Sequence, residues 1–236
     1  MTVVDVKPNP VAPRRLPVEP DFPRSLLGGY AHFRKNRLAR ERARYEELAE
    51  AGQRPPTMVV ACCDSRSAPE TIFGAAPGEM FVVRNVANIM PPYCKDDSHY
   101  DSAAAALEFA VQALRVRHIV VMGHGRCGGI SAFRQQMTGA PGKPLSPGKY
   151  IEKWISLLGP VSEGLTCTGA ETAEELQWKL EAQSVRQSIA NLKTFPCVDV
   201  LLAREQISLH GAWFDISKGE LWVLNHETDE FERPFV

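Results

Sequence analysis

The amino-acid sequence predicts an α/β fold: a mainly parallel central β-sheet flanked by helices, with a helical arm at the amino terminus. Short apolar runs typical of buried strands alternate along the chain with stretches of helical periodicity. Two of these runs lead into chemically reactive side chains, at Cys62 and at His124. Because ligands bind at the carboxyl ends of strands in parallel sheets, we expect the functional site where these two strands end.

Composition favours a small-molecule substrate. A formal net charge of −1 in a chain of 236 residues gives no electrostatic reason to expect a nucleic acid or an anionic membrane as partner. The 6 cysteines are too sparse for a disulfide scaffold, and no amino-terminal signal sequence is evident. No apolar run is long enough to span a membrane. We therefore expect a cytoplasmic protein whose thiolates are available to a metal.

The amino-terminal part divides into two segments. Residues 1–22 are rich in proline and predict an extended arm, whereas 23–236 are expected to form a single α/β domain that includes the amino-terminal helices. Apolar residues at helical intervals within 24–51 predict two amphipathic helices. The basic run 34–44 is interleaved with glutamates, so a solvated helix face is the better interpretation than a nucleic-acid patch.

The remaining elements follow from apolar runs, breaks and caps. After the Pro55-Pro56 break we expect a strand at 57–62, a short helix at 69–73, a strand at 80–84, a long helix capped by Asp101 or Ser102, and a strand at 118–122. Beyond a loop rich in glycine and proline at 139–148, we expect helices at 150–158 and 171–195 and strands at 206–214 and 220–225, with Lys218-Gly219 at their turn.

Cys62, His124 and Cys127 are the candidate metal ligands. If the strands that deliver them are adjacent and parallel, two thiolates and one imidazole meet and leave one zinc coordination position open, which implies catalysis. A cysteine that closes an apolar strand is more often a packing residue, and the His124-x-x-Cys127 pair alone is a weak signal. Their joint occurrence at two strand ends favours the metal site.

Asp64 and Arg66 follow the first ligand. Asp64 has two possible roles, as a fourth zinc ligand or as the hydrogen-bond acceptor that orients a zinc hydroxide, and Arg66 can hold the carboxylate away from the metal in a fork-shaped pair. The alternative is a surface ion pair that contributes little. Gly128 and Gly129 let the backbone approach an ion or a substrate, and exposed amides at a helix start favour anions.

Three motifs carry a resemblance to a known family. The sequence resembles the β-class carbonic anhydrases in Cys62-x-Asp64-x-Arg66, in the segment Gly78-Glu79-Met80-Phe81-Val82-Val83-Arg84-Asn85, and in His124-x-x-Cys127-Gly128-Gly129. The similarity extends from about residue 24 to residue 225. It implies reversible hydration of carbon dioxide to bicarbonate and a proton by zinc-hydroxide attack.

The resemblance also implies roles for particular residues. One zinc ion per chain is expected on Cys62, His124 and Cys127, with Asp64 and Arg66 as the catalytic pair and the Gly128 amide near the substrate. Gln53 and Phe81 are similar to pocket residues of the plant-like subtype, and Phe109 stands where that group often has tyrosine. An open site is therefore expected. The family further implies homodimers that form through amino-terminal helices, and dimers of dimers.

Three alternatives remain open at this point. The same site is compatible with hydrolysis of carbonyl sulfide or carbon disulfide, which pocket size would decide. A non-catalytic zinc or thiol sensor would use Cys63, Cys94 or Cys127, although structural zinc sites usually have four protein ligands. An interaction protein would depend mainly on its helical arm. For proton transfer, His99 and His118 are the candidates nearest in sequence, and each is more simply a surface or packing histidine.

Overall fold

The computed structural model describes residues 21–95, 101–139, 148–165 and 167–234. The predicted proline-rich arm lies, except for its last two residues, outside the described residues. A boundary between Glu50 and Ala51 divides the chain into two compact units. Among the described residues, no helix is long and apolar enough to cross a membrane.

The first unit contains the two predicted amphipathic helices. Helix α1 spans Arg24–Lys35 and α2 spans Arg37–Ala51. Neither helix has a buried residue. Several of their large apolar side chains are more than half exposed, among them Leu26 and Tyr30. The apolar stripe of α1 is therefore largely exposed in the described part of the chain.

The second unit is built on a sheet of six strands in the order β2-β1-β3-β4-β5-β6. The strands are β1 (Thr57–Cys62), β2 (Met80–Asn85), β3 (His118–His124), β4 (Ser208–Asp215), β5 (Glu220–Asn225) and β6 (Glu230–Glu232). The first four strands of the chain are parallel, and β5 and β6 pair antiparallel. The predicted mainly parallel α/β sheet is confirmed.

Helices flank the sheet. They are α3 (Pro69–Ile72), α4 (Ser102–Glu108), α5 (Gly128–Thr138), α6 (Lys149–Ile155), α7 (Gly159–Glu163), α8 (Ala173–Leu192) and α9 (Pro196–Ala203). Asp101 caps α4 by accepting from the amides of Ala103 and Ala104. The predicted long helix then continues as a π-helical stretch, Phe109–Leu114, and ends at Arg115 with φ 58°. Sequence periodicity predicted neither that change of helix type nor α7, α9 and β6, and it indicated only the start of α5.

Register decides where the reactive side chains meet. In β1, Ala61 pairs with Met122 of β3 and Cys62 pairs with Asn85 of β2, so the carboxyl ends of these strands share one edge of the sheet. A buried apolar cluster under this edge contains Cys62 and Cys127 together with side chains from α5 to α8. The reactive end of the sheet is therefore anchored in packed structure.

Candidate active site

Cys62, His124 and Cys127 come together at the carboxyl edge of the sheet. Cys62 ends β1, His124 ends the adjacent strand β3, and Cys127 immediately precedes α5. Their ligand atoms all lie within 4.8 Å of one another, and the two sulfur atoms are 4.0 Å apart. All three side chains are at most 5 % exposed. This arrangement has the size and composition of a zinc site with three protein ligands.

The imidazole of His124 is oriented by the backbone of the next residue, Gly125. Nδ1 is 3.0 Å from the carbonyl oxygen of Gly125, and because a carbonyl can only accept, Nδ1 carries the proton. Nε2 therefore has a free lone pair. This atom is buried and has no hydrogen-bond partner among the described residues. An orphaned imidazole nitrogen that faces two thiols is what a metal ion would satisfy.

The two thiols also favour a cation between them. Hydrogen bonding with Cys127 lowers the pKa of Cys62, whereas hydrogen bonding with Cys62 and burial raise the pKa of Cys127. Without a positive charge, only one of the two sulfur atoms is readily ionised. The backbone amides of Ile130 and Gly129, at the start of α5, donate to Cys127 and partly offset this effect. Two sulfurs and one imidazole nitrogen are a donor set that zinc prefers, so the residues present fit this ion.

Asp64 and Arg66 form the predicted fork-shaped pair. The Arg66 guanidinium donates from Nε to Oδ1 at 2.9 Å and from Nη2 to Oδ2 at 2.7 Å, and the Arg66 amide donates to Oδ1 at 2.9 Å. These hydrogen bonds hold the pKa of Asp64 far below its usual value. Oδ2 lies only 3.9 Å from Nε2 of His124. The carboxylate is thus ionised, fixed in position and directed towards the ligand cluster, which an ordinary surface pair would not be.

Arg84 supports the backbone that carries this pair. Its guanidinium donates from Nε to the carbonyl oxygen of Cys62 at 2.9 Å and from Nη2 to that of Asp64 at 2.6 Å. It therefore fixes the segment between the first ligand and the carboxylate. The sequence motif contained Arg84 but gave it no role.

Glu181 is the functional residue that sequence reasoning missed. It lies on α8 and is 2 % exposed. Its Oε1 accepts from the Cys127 amide at 2.9 Å and from Gln177 Nε2 at 2.8 Å, and its Oε2 accepts from Trp213 Nε1 at 3.1 Å. Burial raises the pKa of Glu181. The only signal in the sequence was an acidic residue beside the apolar stripe of α8.

Replacing Glu181 with glutamine is expected to weaken zinc binding by about 10- to 100-fold, because residues that hold metal ligands contribute by this amount. A carboxamide cannot accept from all three donors, so the Cys127 amide or the Trp213 indole loses its partner. Competition with a chelator measures the effect. Glu174→Gln, an exposed change on the same helix, is the control. Equal zinc affinity in both variants would show that Glu181 does not position Cys127.

The predicted pocket residues lie elsewhere in the chain. Gln53 precedes β1, and Phe81 pairs with Met58 near the beginning of that strand. Phe81 and Phe109 are neighbours, with ring centroids 5.8 Å apart. At a rise of about 3.3 Å per residue, the six residues of β1 put roughly 17 Å between its two ends. A single chain therefore does not bring Gln53, Phe81 and Phe109 to Cys62.

Gly128 and the histidines can also be placed. Gly128 begins α5 next to Cys127, and no heavy atom lies within 4 Å of where a Cβ would be, so the space beside it is open. His118 begins β3, at the end of the strand opposite to His124, and its Nδ1 is 2.8 Å from Ser208 Oγ. His99 lies outside the described residues.

Comparison with known proteins identifies similar chains. A family model described as "Carbonic anhydrase" matches residues 57–221. Beta carbonic anhydrase 3 of Arabidopsis thaliana is 33 % identical over 207 residues, which cover 86 % of this chain and 78 % of the relative.

Solved structures give the same result. The beta-carbonic anhydrase CcaA superposes with a TM-score of 0.78 at 27 % identity, covering 90 % of this chain and 92 % of the other. A tetrameric beta-carbonic anhydrase of the ascomycete Sordaria macrospora gives 0.72 at 28 % identity, covering 86 % and 96 %.

Proposed function

The chain belongs to the carbonic anhydrase family, in its β class, and from this premise we propose how its own residues carry out the reaction. The family uses zinc to hydrate carbon dioxide reversibly to bicarbonate and a proton. We assign Cys62, His124 and Cys127 as the zinc ligands. The observation that carries this assignment is the buried Nε2 of His124, which has no described partner and faces two thiols.

Asp64 is assigned the task of orienting the attacking water. When bound, zinc supplies the positive charge that lowers the pKa of water and makes it nucleophilic near neutral pH. Asp64 accepts a hydrogen bond from this water at Oδ2, the oxygen nearest the ligand cluster, and so directs an oxygen lone pair towards carbon dioxide. Arg66 keeps both carboxylate oxygens engaged, which keeps Asp64 ionised and prevents it from turning inwards. The Gly128 amide, at the start of α5 beside Cys127, is assigned as a donor to the anionic product.

The experiment for this function is stopped-flow hydration of carbon dioxide on protein whose zinc content is measured in the same batch. We expect the rate to rise in proportion to zinc per chain and to fall with chelation. Carbonyl sulfide and carbon disulfide are assayed in parallel, since they would use the same ligands. Full zinc with hydrolysis of these sulfur compounds and no hydration of carbon dioxide would refute the assignment. A thiol sensor is disfavoured because partial desolvation and the neighbouring Cys62 thiolate raise the pKa of Cys63, the exposed thiol next to the site.

The active site is completed by a second copy of the chain. Gln53, Phe81 and Phe109 do not reach the ligands of their own chain, but β2, which carries Phe81, is an unpaired edge strand of the sheet. A neighbour placed along this edge can receive them in its pocket. The exposed apolar stripe of α1 supplies further contact surface. The tetrameric relative supports a homodimer that pairs into a dimer of dimers.

Mixing an impaired variant with an inactive one tests the shared site. Gln53→Ala is expected to lower turnover at least about tenfold, as loss of one positioned donor does, and Cys62→Ala to abolish it. In a mixed dimer, one site combines intact ligands from the first variant with Gln53 from the second. Equal mixing after subunit exchange should therefore restore roughly a quarter of wild-type activity, the share of sites that are then intact. No gain on mixing, with exchange shown by mass spectrometry, would mean that Gln53 does not act across the interface.

Two further assignments belong to this proposal. Residues 23–236 work as one α/β zinc-enzyme domain whose amino-terminal helices serve dimerisation. All 6 cysteines are free, which suits a reducing compartment and supports a cytoplasmic location.

A further inference from the structure

A second cavity lies at the opposite end of the sheet from the zinc ligands. It has a volume of about 510 Å³ and is formed by the segment before β1 and the segment before β3. The two segments are tied together, because the amides of Arg117 and His118 both donate to the Pro56 carbonyl oxygen, at 2.8 and 3.1 Å. The lining residues are Gln53, Arg54, Pro55, Pro56, Gln112, Ala113, Leu114, Arg115 and Arg117.

The charged residues that line this cavity are all positive. Arg54, Arg115 and Arg117 line it, and no acidic residue does. None of the three takes part in an ion pair within 4.0 Å anywhere in the described part of the chain. Other arginines of this protein do have carboxylate partners, such as Arg186 with Asp229. Three arginines with no ion-pair partner among the described residues therefore line one cavity of a protein whose net charge is −1.

We propose that this cavity binds a small molecule that carries two or more phosphate groups. Guanidinium groups recognise phosphate through paired hydrogen bonds, and two linked phosphates bring roughly three to four negative charges at neutral pH, which match three arginines. The carboxamide of Gln112 supplies a further donor. The volume is within the range of small-molecule pockets and exceeds what a single inorganic phosphate fills.

The proposal does not rest on the function assigned to the zinc site. The cavity is about one strand length away from Cys62, and its arginines touch none of the zinc ligands. Gln53 also belongs to the proposed shared pocket, so the arginines alone are varied in the test.

Isothermal titration of the zinc-loaded full chain with pyrophosphate, at constant ionic strength, tests the proposal. We expect saturable binding that weakens at least tenfold in the double variant Arg54→Gln/Arg117→Gln. A matched pair, Lys193→Gln/Arg204→Gln, removes two exposed charges elsewhere and should change the affinity less than twofold. The zinc content is measured after each titration, which distinguishes binding of pyrophosphate to the protein from extraction of zinc by pyrophosphate.

Several results would overturn the proposal. The first is that pyrophosphate does not bind saturably. The second is an equal loss of pyrophosphate affinity in both double variants, which would indicate unspecific electrostatic attraction. The third is that citrate binds more tightly than pyrophosphate, which would indicate a polycarboxylate ligand. Arg54→Gln alone is the second variant, and its unfolding temperature should match that of the wild type. A smaller but measurable loss of pyrophosphate affinity is expected from this single change.

Discussion

Cys127→Ala is expected to leave the protein almost free of zinc and to lower kcat/KM for carbon dioxide hydration by at least about a thousandfold. The remaining pair, Cys62 and His124, provides one thiolate and one imidazole, which is too few for a stable zinc site. Elemental analysis and stopped-flow kinetics on the same preparation measure both effects. The two losses should be proportional, because the chemistry depends on the metal that the thiolates hold.

The control for this prediction is the neighbouring thiol of Cys63. This side chain is exposed, unlike Cys62 and Cys127, so Cys63→Ala should retain zinc and activity. Because Cys127 is buried, Cys127→Ser is a second variant that preserves its size and separates metal loss from a packing defect. Full zinc occupancy in either Cys127 variant would remove this residue from the ligand set.

The strands and the ligand cluster were within reach of sequence reasoning. Strand β1 was predicted with its observed limits because the Pro55-Pro56 break and the reactive residues after Cys62 bound a continuous apolar run. The position of each ligand at a strand end then follows from one topological assumption, that β1 and β3 are adjacent and parallel, and this is observed. Local pattern and strand order together were sufficient.

Other features depend on packing that no local pattern encodes. Glu181 lies 54 residues after Cys127, and the two meet only because α8 packs across the sheet. Arg84 donates to two backbone carbonyl oxygens, and because every residue has such an acceptor, the sequence does not indicate which of them an arginine will reach. The family resemblance also assigned Gln53, Phe81 and Phe109 to the pocket without showing that one chain keeps them away from its own ligands. That separation is a property of three-dimensional placement.

Arg66→Ala is expected to retain zinc but to lose about a hundredfold in kcat, the second large effect. Arg66 makes two side-chain hydrogen bonds to Asp64, and without them the carboxylate is free to turn towards the cation that His124 and the two thiols would hold. Asp64 would then occupy the position that water needs. Zinc analysis distinguishes this result from that of Cys127→Ala, since here the metal stays bound. Arg66→Lys keeps the positive charge but not the two parallel hydrogen bonds, so its kcat should lie between that of the wild type and that of Arg66→Ala.

A double-variant cycle shows whether Arg66 acts through Asp64. Asp64→Ala should also keep its zinc and lose turnover, because the water is no longer oriented. If the role of Arg66 is to hold this carboxylate, the double variant Asp64→Ala/Arg66→Ala should be no slower than Asp64→Ala alone, a strongly non-additive result. Additive losses would instead assign Arg66 a separate contact with substrate or product. Full activity in Arg66→Ala would exclude any role in keeping the site open. The cycle thus separates a residue that positions the carboxylate from one that touches the reacting molecule, a distinction that zinc content and turnover of the single variants do not make.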